Sequence, residues 1–236
     1  EQCSVVAEDM AYYASGALKK AIDCVMEFDP KAAQEVRESE DETDKYEDML
    51  GTYLLKLGAE PLSDAASEEV TELLKLIGDF ERIGDHAVNI IESAEELHDK
   101  QLEFSRSAKY ELSVMTAAVG EVMDLAVKAF AENDAQAASC VEPLEQVIDK
   151  LKDELRTNHI ARLQRGECSL AAGFVLSDLL TNLERVSDHC SNIAGCLLDM
   201  KNERIDLHKY LSDVKSGSNE FLLQYNVFEE KYKLEA

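Results

Sequence analysis

Tryptophan is absent from this 236-residue chain, proline occurs three times and glycine ten, so few positions interrupt a helix or demand a turn. Strand signals are missing as well, since no run of β-branched and aromatic residues alternates with polar ones. No stretch approaches the ~20 consecutive apolar residues that cross a bilayer. The opening EQCSVVAEDM has neither a basic leader nor an apolar signal core. The chain as it stands reads as soluble. Its start at Glu1, without methionine, suggests a piece of a longer protein with a membrane part upstream. Cys3, Cys24, Cys140, Cys168, Cys190 and Cys196 form no CxxC pair and no framework spacing, so reduced thiols in a cytosolic setting are expected, most of them as small core residues. Basic residues are scarce: 24 Lys and Arg against 49 Asp and Glu leave a net charge of −25, which repels phosphate backbones and excludes a nucleic-acid binder. The same surplus draws in cations or basic protein surfaces, or else forms a solvated face.

What is abundant favours helix. Ala, Leu, Glu, Lys and Asp dominate, and the few breakers divide the chain into segments. The pattern predicts helices over Ser4–Phe28, Lys31–Leu57 and Ser63–His98, then Ser107–Ala131, Val141–Gln164 and Ser169–Met200. A tail over Asn202–Ala236 adds one more helix or two short ones, with KSGSN at Lys215–Asn219 as the turn. Helices of about 25 to 35 residues span roughly 35 to 50 Å, which makes an elongated bundle whose halves pack side by side or end to end.

The second three helices repeat the first. FERIGDHAVNI at Phe80–Ile90 returns as LERVSDHCSNI at Leu183–Ile193, and Glu40 aligns with Glu145 at nearly the same spacing. The division is therefore a first three-helix unit over residues 1–103, a second over 104–201 and a helical tail over 202–236. Residues four apart share one helix face, so Glu81, Asp85 and Asn89 form an oxygen-bearing stripe, copied by Glu184, Asp188 and Asn192. The second helix of each half carries a matching set, Glu40, Asp44 and Asp48 in the first and Glu145, Asp149 and Asp153 in the second. Two further Glu-x-x-x-Asp pairs, Glu60 with Asp64 and Glu95 with Asp99, have no repeat counterpart. At 100° per residue the third-helix stripes fall opposite apolar ones, Phe80, Ile83, Ala87, Ile90 and Ala94 in one half and Leu183, Val186, Cys190, Ile193 and Leu197 in the other. The oxygens are expected to point away from the core.

Like charges four apart destabilise a helix by a few tenths of a kcal/mol, so something should compensate them. Carboxylate and amide oxygens are hard ligands suited to Mg, Ca, Mn or Fe, and clustered acids from two helices can bridge several ions. The bland alternative is pairing with Arg82 and Arg185, which adjoin the stripes, or plain solvation. His86 and His189 follow the Asp directly and so turn about 100° from it, which favours a hydrogen-bonding role between helices over ligation. Cys190, equivalent to Ala87, reads as core. His98, His159 and His208 lack repeat counterparts and carry no assigned role. Gly78 and Gly84 beside the first stripe, and Thr181 and Ser187 beside the second, leave room for a ligand or a neighbouring helix.

ERIGDHAVNI and ERVSDHCSNI, set in paired three-helix units with Glu-x-x-x-Asp motifs on their second and third helices, resemble the PhoU family of phosphate-uptake regulators over about Val6–Met200. The resemblance implies an all-α tandem repeat of two three-helix bundles with a C-terminal helical extension. It implies multinuclear metal clusters, of iron or zinc in known members, with manganese or magnesium as further options. Carried over by position, Glu40, Asp44, Glu81 and Asp85 would hold metal in the first half and Glu145, Asp149, Glu184 and Asp188 in the second. Asp48, Asp153, Asn89 and Asn192 come from the stripe geometry alone. The implied role is a regulator acting through contact with a membrane phosphate transporter and, in many bacteria, a sensor histidine kinase. The tail resembles the ending of the PhoU-like domain fused behind the membrane portion of bacterial sodium/phosphate cotransporters, which would make this a cytoplasmic soluble domain acting in cis. Oligomer formation is open.

Two readings compete. An acidic helical adaptor without metal would leave the duplicated carboxylates without a function. A carboxylate-bridged di-metal enzyme normally uses Glu-x-x-His pairs pointing into a bundle core, and the stripes contain none. The chain also lacks GxSxG, a phosphate-cradling glycine loop and HExxH, so no turnover is expected.

Overall fold

The computed structural model describes residues 2–201 and 219–235, and among them every regular element is helical. Six long helices run in two sets of three: α1 (Gln2–Met26), α2 (Pro30–Gly58) and α3 (Asp64–Asp99), then α4 (Arg106–Ala131), α5 (Ala135–Gln164) and α6 (Leu170–Lys201), followed by α7 (Asn219–Lys231). The starts of α2 to α6 each have a local cause. Asp29 caps α2 by accepting from the Lys31 amide, with Pro30 at the first helical position where no amide is needed. Asp134, the repeat counterpart of Asp29, does the same for α5 through the amides of Gln136 and Ala137. Ser63, Ser105 and Ser169 cap α3, α4 and α6. Helices α3, α4 and α5 end on a residue with left-handed backbone, Gln101, Asn133 and Gly166. The amide just beyond each returns to a carbonyl five residues back, as in Leu102 to Leu97 at 2.9 Å.

The fifth helix starts at Ala135, six residues before the expected Val141. Pro143 lies inside it without ending it, while the Asp134 cap supplies a start that the spacing of apolar residues did not mark. The expected turn over Lys215–Asn219 lies outside the described residues except for Asn219, which opens α7; His208 lies outside them as well.

In the first half α1, α2 and α3 pack on one another, and in the second α4, α5 and α6 do the same. The halves lie side by side, with α3 against α6 as the main seam and α1 against α4 beside it. One contiguous core runs through both. All ten residues of the two apolar stripes are buried, from Phe80 to Leu197. Phe80 meets Phe130 of α4 with ring centroids 5.2 Å apart, and Cys190 is wholly buried with its thiol 3.7 Å from the Met123 sulfur. All six cysteines are free thiols. Helix α7 docks on α5 through buried Phe221 and Phe228, and its end reaches α4, where Tyr232 and Lys231 both bind Glu121. Its Leu222, Leu223 and Val227 stay exposed on the other side.

Candidate metal centre

Short turns make α2 and α3 antiparallel neighbours, and the same holds for α5 and α6. The carboxylate stripes of each pair therefore face one another across a groove that stays partly open to water. Glu40, Glu81 and Asp85 are half-buried, and Asp44, Asp48 and Asn89 are exposed. Glu40, Asp44 and Asp85 each bring a carboxylate oxygen within 4.8 Å of the others. Among the described residues this is the one convergence of three such side chains. Close approach of the two helices here depends on Gly84: a Cβ at that position would stand 2.9 Å from the Thr43 hydroxyl, which is itself held by the Glu40 carbonyl. Gly78, by contrast, has open space around it.

The electrostatics of this groove are unbalanced. Burial, then the carboxylates of Asp85, Asp44 and Glu47, push the Glu81 carboxyl up to about 7, against which the Arg82 guanidinium pulls the other way. Burial and the neighbouring Asp44 and Asp85 raise Glu40, and burial followed by Asp85 raises Asp44. Among the described residues, no Lys or Arg forms an ion pair with Glu40, Asp44, Glu81 or Asp85. Neighbouring carboxylates that cannot all ionise cheaply are relieved by a proton or by a cation.

In the second half the same acids are differently served. Lys152 places its ammonium 2.7 Å from Glu184, with both side chains largely covered, and Arg185 lies 3.1 Å from Asp188. Asp149 and Asp188 are still raised, by burial first and by Glu184 next, but Lys152 opposes the shift at both. Glu145 is half-buried, and Asp153, about two turns along, is exposed. Asn192 leaves the stripe and donates to Asp79 on α3 at 3.4 Å.

The histidines pack between the halves. His86 and His189 stack with centroids 5.6 Å apart across the α3–α6 seam. His86 Nδ1 meets the Asn182 amide oxygen at 2.9 Å, and His189 Nδ1 meets the Asp79 carboxylate at 2.8 Å. Asn182 and Asp79 are repeat counterparts, so each histidine reaches the equivalent residue of the other half. Burial lowers the His86 pKa. Neither ring joins the carboxylate stripe beside it.

Sequence reasoning about the stripes missed Lys152 and Glu47. They occupy equivalent positions in α5 and α2 with opposite charge, a signal visible once the halves are aligned. The donor set of the first groove, carboxylate oxygens without sulfur or nitrogen, suits a hard multivalent cation.

The family model described as the PhoU domain matches residues 7–94 and again 112–197. The phosphate-specific transport system accessory protein PhoU homolog 1 of Thermotoga maritima is 28% identical over 211 residues, covering 89% of each chain. A protein of the same description from Pseudomonas aeruginosa is 24% identical over 179 residues, 75% of this chain and 73% of that one. The fold is similar to the crystal structure of PhoU from Pseudomonas aeruginosa, with a TM-score of 0.81 at 20% identity over 86% of this chain and 97% of that one. It is also similar to the phosphate transport system regulatory protein PhoU from Streptococcus pneumoniae, with a TM-score of 0.72 at 18% identity over 87% and 96%.

Proposed function

The chain belongs to the PhoU family, and from that premise we propose that it regulates phosphate transport by binding and contact rather than by turnover. Support comes from relatives described as accessory proteins of a phosphate-specific transport system, which align with most of this chain. The partner is a membrane phosphate transporter, met from the cytoplasmic side in trans or joined to this chain in cis, with a sensor histidine kinase as a second partner. No helix among the described residues is long and apolar enough to cross a membrane, which suits a domain that works beside the bilayer.

The α2–α3 groove is the cation-binding element in this reading. The observation that carries it is the convergence of Glu40, Asp44 and Asp85, with no protein cation paired to them among the described residues. Iron, manganese and magnesium fit an all-oxygen donor set, and zinc would have to accept the same carboxylates without the nitrogen or sulfur ligands it commonly takes. Glu81 supplies a further carboxylate from which more than one ion could be bridged. Bound cations would discharge the groove and hold α2 against α3. A di-metal enzyme fits less well, because the acids line half-open grooves, whereas the buried Glu111 carboxylate is bound by Arg162 rather than set beside a histidine ligand.

The ion-paired second half supports one alternative, an acidic helical adaptor that needs no metal. Elemental analysis separates the two, comparing the purified protein with the variant Glu81→Gln, Asp85→Asn, Glu184→Gln, Asp188→Asn after checking that both remain helical. Ions bound by the parent and lost from the variant support the cation reading. Absence of ions from both, even after incubation with iron, zinc and manganese, favours the adaptor. Phosphate uptake in cells carrying the parent, the variant or neither tests the regulatory role itself.

A further inference from the structure

The two halves carry matching acids but differ one helical turn from them. In α2 the residue just before the stripe position Asp48 is Glu47, which raises Glu81. Its counterpart in α5, just before Asp153, is Lys152. The Lys152 ammonium sits 2.7 Å from Glu184, and its side chain is only 16% exposed. It acts on Asp149 and Asp188 as well. One covered cation therefore reaches three of the acids that would ligate a metal in this half. Arg185 engages Asp188, whereas its counterpart Arg82 makes no such pair with Asp85.

We infer that Lys152 is a built-in cation that closes the α5–α6 groove to metal, leaving the α2–α3 groove as the ion-binding one. The inference rests on the cation reading of the first groove and adds what makes the repeats unequal. An ion entering the second groove would have to displace the ammonium from Glu184. A lysine tethered on the same helix would still remain close and repel it. In the first groove Glu47 adds charge of the sign that attracts a cation. Lys152 is a specificity-determining residue in this account, and Glu47 is its complement.

Manganese titration of the full chain, stripped with chelator, tests this by calorimetry and by the electron paramagnetic resonance of free Mn2+. The triple variant Glu40→Gln, Asp44→Asn, Asp85→Asn should lose the Mn2+ binding of the parent. Adding Lys152→Glu, which copies Glu47, should restore it, and adding Asp149→Asn to that should remove it again. Lys152→Gln in the same background should give a smaller gain, and it covers the case in which the charge reversal unfolds the half; circular dichroism monitors this. Glu47→Lys in the parent should weaken binding at least tenfold. Retention of parent-like affinity by the triple variant would overturn the inference alone, because the second groove would then bind ions with Lys152 in place. Failure of both Lys152 substitutions to restore binding in folded protein would also overturn it. If neither the parent nor its Lys152→Glu variant binds Mn2+, the cation reading falls and takes the inference with it.

Discussion

Place the α2–α3 groove beside the α5–α6 groove and the acids correspond: Glu40, Asp44, Glu81 and Asp85 in one, Glu145, Asp149, Glu184 and Asp188 in the other. In the first, no protein cation is paired with these acids among the described residues, and Glu81 is held up to about 7 by burial and by like charge. In the second, Lys152 and Arg185 sit on Glu184 and Asp188. A repeated motif thus places oxygens on a face, while a neighbour one turn away decides whether those oxygens are available. A second contrast runs through the core. Where the first half has Val6 and Leu57, the second buries Glu111 and Arg162, joined by two hydrogen bonds of 2.7 and 2.8 Å.

The largest effect should come from that buried pair. Arg162→Leu alone should cost about 3–5 kcal/mol in urea unfolding, because it strands the Glu111 carboxylate and its remaining partner Asn158. The double change Glu111→Val, Arg162→Leu, which copies the first half, should recover most of that loss.

Next, equivalent substitutions in the two grooves should have opposite signs in metal-free protein near pH 8. Glu184→Gln breaks the covered pair with Lys152 and should destabilise by about 1–2 kcal/mol. Glu81→Gln removes a carboxylate crowded by its own kind and should stabilise, by about 1 kcal/mol or less. Thermal melts of the two variants against the parent check this directly.

A smaller effect concerns pH. The folded state holds the Glu81 carboxyl at about 7, above its ordinary 4.5, so the fold takes up a proton that the unfolded chain does not. The resulting penalty is fully present above about pH 7 and is relieved as pH falls from there toward 4.5. In chelator, Tm should therefore rise as pH is lowered from 8 to 5.5, and Glu81→Gln should flatten that slope. Saturating cation should flatten it as well if the groove binds ions.

The smallest prediction sharpens the contrast at the seam. His86 faces the Asn182 amide, whereas His189 faces the Asp79 carboxylate. Asn182→Asp would give His86 the same kind of partner, and its pKa should rise in a proton NMR titration, because a carboxylate favours the charged ring.

Much of this architecture follows from local rules. Scarce breakers, capping residues such as Asp29 and Ser63, and apolar stripes recurring every three to four residues set the six long helices, nearly all their limits and the face each buries. The duplication of FERIGDHAVNI as LERVSDHCSNI identified the tandem repeat and the acid-bearing positions, because helical periodicity ties spacing to one face. The start of α5 was misread, since Asp134 as a cap is a single local signal set against Pro143 further along.

What required the tertiary structure is which face meets which. Packing of α2 along α3 turned two separate stripes into one groove and brought Asp85 to Glu40 and Asp44. Packing of α3 on α6 drew Asn192 out of its stripe toward Asp79. The difference between Glu47 and Lys152 was written in the sequence, but its meaning was not: an ammonium matters only to charges within a few ångströms in covered surroundings, and that distance to Glu184 comes from the way two helices lie together.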